Sequence, residues 1–545
     1  MREGEVTAGS ALGVDFEEAR ASAAAGRPLC ICGGKVADGS GGPLRAADIL
    51  VVDGVISEIA APGSLDTSFA VLLNAGGQVV CPGFIDVHSH ADNAPLLAED
   101  DLSKVHQGVT TEVVGNCGFS LAPVIPGREE QLAGLLGRLF PPLQSEWSTF
   151  AELLTVTDAC GYVTNYAPLV GHNTLRIAAM GMASRAPTVD EMRQMTVYLE
   201  SALAEGVFGL STGLGYPPGM GAASEELVAL AKVLPAGRVY ATHMRDEGAQ
   251  LLRSIAESVA VAEQAHCQLQ VSHLKSGGRT NWGRVGAALD LLTDARARGL
   301  AVGQDMYPYT AVSTMLTACL PSWFEEGDSA MVLSRLQNTD ALARARAEAS
   351  HGAVFRSGQD GVLVATTGSH LHEGRTLVEI AEEIGVDPFE ALVRVLREEQ
   401  LRATMVVVSM DDADVDAVIC DPASMVGSDG LPPGLGGRPH PRQYGTFPRI
   451  LQRYVRERQL LGLSEAVRKM TALPADTFGL RNRGRVVQGA IADLVIFSPD
   501  TVREVSTYAD PVRPPTGIAS VMMAGRLVVH GGRWLGTRRG LRLSA

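Results

Sequence analysis

The sequence predicts an α/β protein: a (β/α)8 TIM barrel, a small β-sandwich domain built from both chain ends, and an insertion before the eighth strand. Three observations predict it. The middle of the chain alternates short β-rich runs with Ala/Leu/Glu-rich, helix-like segments, about eight times over roughly 350–400 residues, the span of such a barrel with insertions. Both ends are β-rich and punctuated by Gly and Asp. Metal-capable side chains recur at the ends of the β-rich runs, where barrels of this kind place their chemistry.

In chain order, residues 1–28 are acidic and lack an apolar core segment, so they do not read as a secretory signal. They are expected to form a mobile leader or a helix docked on the surface. "LCICGGKVADGSGGPLRAADILVVDGVISEIA" (29–60) reads as a set of hairpins. The same texture returns in "GAIADLVIFSPD" (489–500) and "IASVMMAGRLVVHGGRWL" (518–535). The two ends, 29–82 and 483–545, are therefore assigned to one small β domain, with the barrel, 83–482, inserted in it.

The eight expected barrel strands are "GFIDVHSH", "TTEVVGN", "YVTNYAPLVGH", "GVFGLSTGL", "RVYATHMRDE", "LQVSHLKS", "LAVGQDMYPYT" and "ASMVGSDG". Helical segments such as 225–234 and 250–265 separate most of them. The longest insertion, about 317–401, lies between the seventh and eighth strands. It is either a lid over the barrel mouth or a peripheral decoration.

The composition sets limits. With 46% hydrophobic and 20% charged residues over 545 positions, the chain suits a large buried core. A net charge of −15 argues against nucleic acid and anionic membranes as partners. An anionic substrate would then need local positive charge. No stretch approaches the roughly 20 apolar residues of a membrane span. The 8 scattered cysteines suggest free thiols in a reducing cytoplasm.

The chemistry gathers at the strand ends. "GFIDVHSHAD" presents His88 and His90, which share one face of an extended segment. "GNCGFS" offers Cys117 in a glycine-flanked turn, "VGHNTLR" offers His172, "ATHMRDE" His243, "VSHLKS" His273 and "GSDG" Asp429. Any one of these alone would be unremarkable; together they are hard to explain by packing. Imidazole and thiolate favour zinc, which lowers the pKa of water to about 7 and polarises a carbonyl. Asp429 is then the candidate general base.

These motifs resemble the amidohydrolase superfamily, and within it the N-acyl-D-amino-acid deacylase (D-aminoacylase) family. The matching stretches are "PGFIDVHSHAD", "GNCGFSLAP", "FGLSTGLGYPPG", "YATHMRDEG", "VSHLKSGG" with "NWG", "DMYPYTA", "VGSDG", "PHPRQYGTFPR" and "AVRKMTALPADTFGL", spread over about 79–480. The resemblance implies zinc-dependent hydrolysis of N-acyl-D-amino acids. Cys117, His243 and His273 would hold one tightly bound zinc, and His88, His90 and Asp429 a second, weak position. The fourth-strand end, "GLSTGLGYPPG", has no lysine to serve as a carbamylated bridge, and Cys117 would supply the anionic ligand instead.

It further implies that Lys275, Tyr307, Ser313 and Arg442 bind the substrate carboxylate. His172 would help stabilise the oxyanion or serve structure. Met315, Leu316, Leu320 and Trp323 are candidates for an apolar side-chain pocket. Asn173, standing where the family suggests glycine, and the Gly/Pro-rich run between Asp429 and His440 are departures near the site. The readings held beside this one are an amidohydrolase for another amide, cyclic amides included, and a non-catalytic barrel that binds partners.

Overall fold

The computed structural model describes residues 13–349 and 361–545. Residues 1–12 of the expected leader and 350–360 of the expected insertion lie outside the described residues.

Eight parallel strands form the centre. They are β1 (Phe84–Asp86), β2 (Val109–Val114), β3 (Asn165–Pro168, resuming at Val170–Gly171), β4 (Gly209–Gly213), β5 (Val239–His243), β6 (Gln268–Val271), β7 (Val302–Met306) and β8 (Ser424–Val426). Each pairs in parallel with the next in sequence. A parallel bridge from Ser89 to Gly430 and the bond from the Ser428 amide to Asp86 Oδ1 (2.8 Å) join the last strand to the first. The ring therefore closes. Its strands are buried on both sides, and the polar side chains they carry, such as Gln270, Gln304 and Asp305, are buried with them.

Helices cover the outside, and their starts are written locally. Thr149 with Glu152, and Thr188 with Glu191, form capping boxes at the helices Phe150–Cys160 and Val189–Ala204. Inside the ring, Ile85, Val87, Val113, Leu169, Phe208, Val239 and Met425 pack with Phe478 and Leu480. This plug makes a solid floor and leaves only the carboxyl ends of the strands open to a ligand.

The chain ends meet in two further sheets. One runs in the order Val55–Ala60, Asp48–Val52, Leu29–Cys32, Val71–Asn74. The other has seven strands and pairs Leu494–Phe497 with Val79–Pro82 antiparallel, so N- and C-terminal segments share one sheet. Leu29, Ile49 and Leu73 of the first bury against Val80, Leu494 and Met522 of the second. Part of the expected leader is a docked helix, Phe16–Ala25. Asp15 caps it, and Ala19 and Ala23 are buried against this same core.

The insertion differs from expectation in extent and in kind. It contains an antiparallel sheet ordered Ala311–Met315, Ala403–Val408, Leu363–Thr367, Arg375–Thr376, with its own apolar core. The unit begins before residue 317 and ends after residue 401, because its first and last strands pair with each other and not with the barrel. Their alternating sequences are half-buried strands that resemble a continuation of the barrel rhythm. All 8 cysteines are free, and among the described residues no helix is long and apolar enough to cross a membrane.

Candidate active site

The turn after β2 sets the geometry. Gly115, Cys117 and Gly118 all have left-handed backbones (φ 78°, 53° and 78°). A Cβ on Gly115 would lie 2.2 Å from the Leu169 carbonyl oxygen, and one on Gly118 would lie 2.7 Å from the Gly213 amide nitrogen. The turn is squeezed between β3 and β4, so only glycine fits on either side of the cysteine. His273 and Asp429 are also left-handed, at φ 35° and 49°. Such non-glycine conformations cost about 1–3 kcal/mol each and persist where the surroundings over-determine them.

These turns aim their side chains at one spot. Cys117 Sγ lies 3.4 Å from His273 Nε2 and 3.3 Å from His88 Nε2. His243 Nδ1 is 3.0 Å from His273 Nε2. Zinc bonds of about 2.0–2.3 Å at tetrahedral angles separate ligand atoms by roughly 3.3–3.6 Å, so the set fits that ion with small adjustments. Of the trio expected to hold the tight zinc, Cys117 and His273 close into one group with His88, while His243 groups with His273 and Glu247. His90 Nε2 and His88 Nε2 are 3.4 and 3.5 Å from Asp429 Oδ1, which brings the second expected trio together.

The electrostatics agree. Burial alone would raise the Cys117 thiol, but the imidazoles of His88 and His273 more than reverse that and hold it well below its ordinary range. Burial would likewise raise Asp429, yet Arg442, then His90, keep it well below the usual carboxylate value. The site is thus arranged for a thiolate and a carboxylate facing a cation.

A cavity of about 250 Å³ opens over this cluster. His90, Cys117, His243, His273, Lys275, Tyr307, Ser313 and Asp429 line it. The Tyr307 hydroxyl and the Ser313 hydroxyl are buried with no protein partner among the described residues. Two orphan donors in a cavity call for an acceptor from outside the chain. Lys275 Nζ lies 2.7 Å from Glu247 Oε1 and 2.7 Å from His273 Nδ1.

Arg442 is placed differently from its neighbours. It does not line the cavity; its Nη1 lies 2.9 Å from Asp429 Oδ2, its Nη2 donates to the Ser313 carbonyl (3.0 Å), and its guanidinium stacks over Tyr307. It holds Asp429 ionised and oriented. His172 is also turned away. Its Nε2 bonds Glu226 Oε1 (2.8 Å), which Arg176 also holds, and the ring does not line the cavity. Burial lowers its pKa, so it is a neutral histidine tying two helices together.

Met315, Leu316, Leu320 and Trp323 belong to packed cores and do not line the cavity. The apolar wall is instead Phe119, Leu139, Val312, Ala318, Met405 and Leu431. Val312, Ala318 and Met405 come from the insertion, which is therefore part of the site. Asn173 lies beneath it, packed against Gly118, Gly213 and Gly219.

Several contributors escaped sequence reasoning. Glu247 lies 2.8 Å from His273 Nδ1 and Asp305 3.3 Å from His88 Nδ1, the carboxylate–imidazole pairing that fixes the tautomer of a metal-binding histidine. Tyr216 packs against His243 with its ring tilted 50° and 4.7 Å between ring centres. Glu247 and Asp305 sit inside the quoted "HMRDEG" and "DMYPYT" motifs, so the signal was present without a role attached.

Comparison with known proteins places this arrangement. A family profile described as the amidohydrolase family matches residues 71–529. An N-acyl-D-aspartate deacylase of Alcaligenes xylosoxydans xylosoxydans is 36% identical over 509 residues, covering 92% of each chain. A D-aminoacylase of the same organism is 37% identical, covering 91% of this chain and 93% of its own. The crystal structure of an N-acyl-D-glutamate deacylase from Bordetella bronchiseptica, with zinc and a phosphonate mimic of the tetrahedral intermediate, superposes with a TM-score of 0.79. It is 35% identical and covers 95% of this chain and 99% of its own.

Proposed function

The chain belongs to the amidohydrolase family, and from that premise we propose that it hydrolyses the amide bond of N-acyl-D-amino acids, releasing a carboxylic acid and a free D-amino acid. The observation that carries this is the convergence of Cys117, His243, His273 and Asp429 on one cavity that also holds unpartnered hydroxyls and Lys275. The barrel, 83–482, is inserted in a β-sandwich formed by the ends 29–82 and 483–545, and the protein works in the cytoplasm.

Cys117, His243 and His273 would hold one zinc, with His88, His90 and Asp429 as a weaker second position. A zinc ion there supplies a Lewis acid for the amide carbonyl and makes water nucleophilic near neutral pH. Asp429 accepts the proton of the attacking water and returns it to the leaving amine. Arg442 holds that carboxylate ionised until the first transfer and keeps it oriented for the second. Lys275, Tyr307 and Ser313 hold the substrate carboxylate, and Glu247 orients both Lys275 and His273.

The side-chain pocket favours apolar over acidic substrates. The permanent cations lining the cavity are Lys275 and Arg245. Arg245 is bound to Glu257 and to the carbonyls of Met220 and Ala222. Lys275, though paired with Glu247, is the cation set beside the unpartnered Tyr307 and Ser313 hydroxyls, and the α-carboxylate takes it. A second carboxylate would meet Phe119, Val312 and Met405, and burying it unpaired is costly.

The test is a hydrolysis panel of N-acetyl D- and L-amino acids on metal-analysed protein. Apolar D-substrates should be cleaved with higher kcat/KM than the D-aspartate and D-glutamate derivatives and than the L-enantiomers. Zinc-loaded protein that cleaves no N-acyl amino acid, but opens cyclic amides, would refute the proposal.

A further inference from the structure

A buried lysine outside the cavity lies beneath the two loops that carry His88, His90 and Asp429. Lys104 is 2% exposed and does not line the cavity. Its Nζ is 3.3 Å from Asp86 Oδ2, 3.3 Å from Glu112 Oε2 and 3.3 Å from Ser89 Oγ. Each contact leads to one of the loops. Asp86 accepts from the Ser428 amide (2.8 Å) and the Ser428 hydroxyl (2.5 Å), beside Asp429. Ser89, between the two histidines, donates to Glu112 at 2.7 Å. The loops also clasp each other: the Asp429 amide donates to the His88 carbonyl (2.7 Å), and the His90 amide to the Gly430 carbonyl (3.0 Å).

The fit leaves little slack. A Cβ on Gly430 would lie 2.9 Å from Lys104 Nζ, so the ammonium presses directly under the residue after Asp429. Asp86 and Glu112 are themselves buried. A neutral side chain at position 104 would leave two buried carboxylates uncompensated within a few ångströms of the loop. They would repel each other and take up protons, water or a new geometry.

From this placement we infer that Lys104 is a positioning residue: its ammonium locks the His88–His90 and Ser428–Gly430 loops together, so that Asp429 and the two histidines face the metal centre. The inference rests on the functional reading above only for the role of Asp429; the juxtaposition of the loops stands without it. Lys104 touches neither substrate nor metal ligand. Its loss should therefore damage the second trio and the proton transfer while sparing the tight zinc and the substrate contacts.

The experiment compares Lys104→Met with wild type, each purified with one zinc per chain, and titrates Cd2+ as the probe for a second ion. The variant should keep its one zinc. It should bind Cd2+ about tenfold or more weakly and lose about tenfold or more in kcat, with KM within about threefold. Unchanged Cd2+ affinity and unchanged kcat, even with a lowered melting temperature, would reduce Lys104 to a stability residue and overturn the inference. Loss of the tight zinc would overturn it too.

If Lys104→Met does not fold, Ser428→Ala decides: it removes the hydroxyl that bonds Asp86 and accepts from the Gly430 amide, within the same clasp; the same split is expected, and wild-type behaviour in both readouts refutes the lock. Should wild type cleave no amide, the functional reading fails while the Cd2+ comparison still judges Lys104. Should wild type neither cleave an amide nor bind Cd2+, both fall.

Discussion

Asp429 carries two demands at once, because a base needs a free lone pair and a left-handed residue needs support. Its φ of 49° is held by the hydrogen bond that its N–H donates to the His88 carbonyl, and its Oδ2 faces Arg442, which leaves Oδ1 toward the histidines and the cavity. Asp429→Asn keeps shape and most contacts but cannot accept a proton. It should lower kcat by about 10²–10⁴ while bound zinc, measured by metal analysis, stays near one per chain; an active variant removes Asp429 from the role of base. Lys275 is judged by a substrate comparison that cancels its other contacts. Lys275→Ala should raise KM for N-acyl amino acids about 10–100-fold more than for their carboxamides, the worth of a charge-assisted bond. Equal effects on both would assign Lys275 to Glu247 and His273 alone. The metal-capable residues themselves were legible because they sit at strand ends in short motifs. Glu247, Asp305 and Lys104 were not, since a second contact layer exists only once distant segments are folded together.

At the scale of elements, the strand–helix rhythm was readable because short β-rich runs alternate with helical segments, several of which begin with capping signals. The insertion was harder. Ala311–Met315 follows β7 closely and lies ahead of the expected start of the insertion at 317, yet it turns away to pair with Ala403–Val408 and brings Val312 and Ser313 over the cavity. Local pattern cannot report which partner a strand will choose. The helices His172–Met180 and Ser224–Ala231 show the opposite case, a histidine placed among the metal-capable residues that serves packing. Glu226 joins them through His172 and Arg176; burial would raise its carboxyl, but those two partners pull it below its ordinary value. A depressed acid contributes stability that is complete above its unfolded pKa, about 4.3, and lost as pH falls through the folded value. Burial lowers His172 too, so its protonation on unfolding adds loss below about pH 6.5. Urea midpoints should therefore place wild type above Glu226→Gln at pH 7, with the gap closing toward pH 3. A gap that widens in acid would contradict this assignment.

The whole molecule is arranged so that distant segments depend on one centre. Both chain ends build one pair of sheets, and the last residues return to the barrel floor, where the Ala545 amide donates to the Gly206 carbonyl and Arg238 to the Ala545 carbonyl. At the opposite end, Cys117 and His273 come from positions 156 residues apart and meet at 3.4 Å. Without a cation between them, a buried thiolate, several imidazoles and the Asp429 carboxylate balance one another only through direct contact. An ion bound there cross-links β2, β5 and β6, and it binds the folded chain alone because the unfolded chain has no preformed site. Stability should then follow metal by mass action, by about 2.7 kcal/mol at a free zinc concentration 100 times the Kd. Dialysis against a chelator should lower the melting temperature and abolish hydrolysis, and added zinc should restore both. In Cys117→Ala the melting temperature should no longer respond to zinc. A chelated wild-type protein that melts where the zinc-loaded one does would mean that these ligands close around no structural ion, and the shared dependence of fold and chemistry on one centre would be lost.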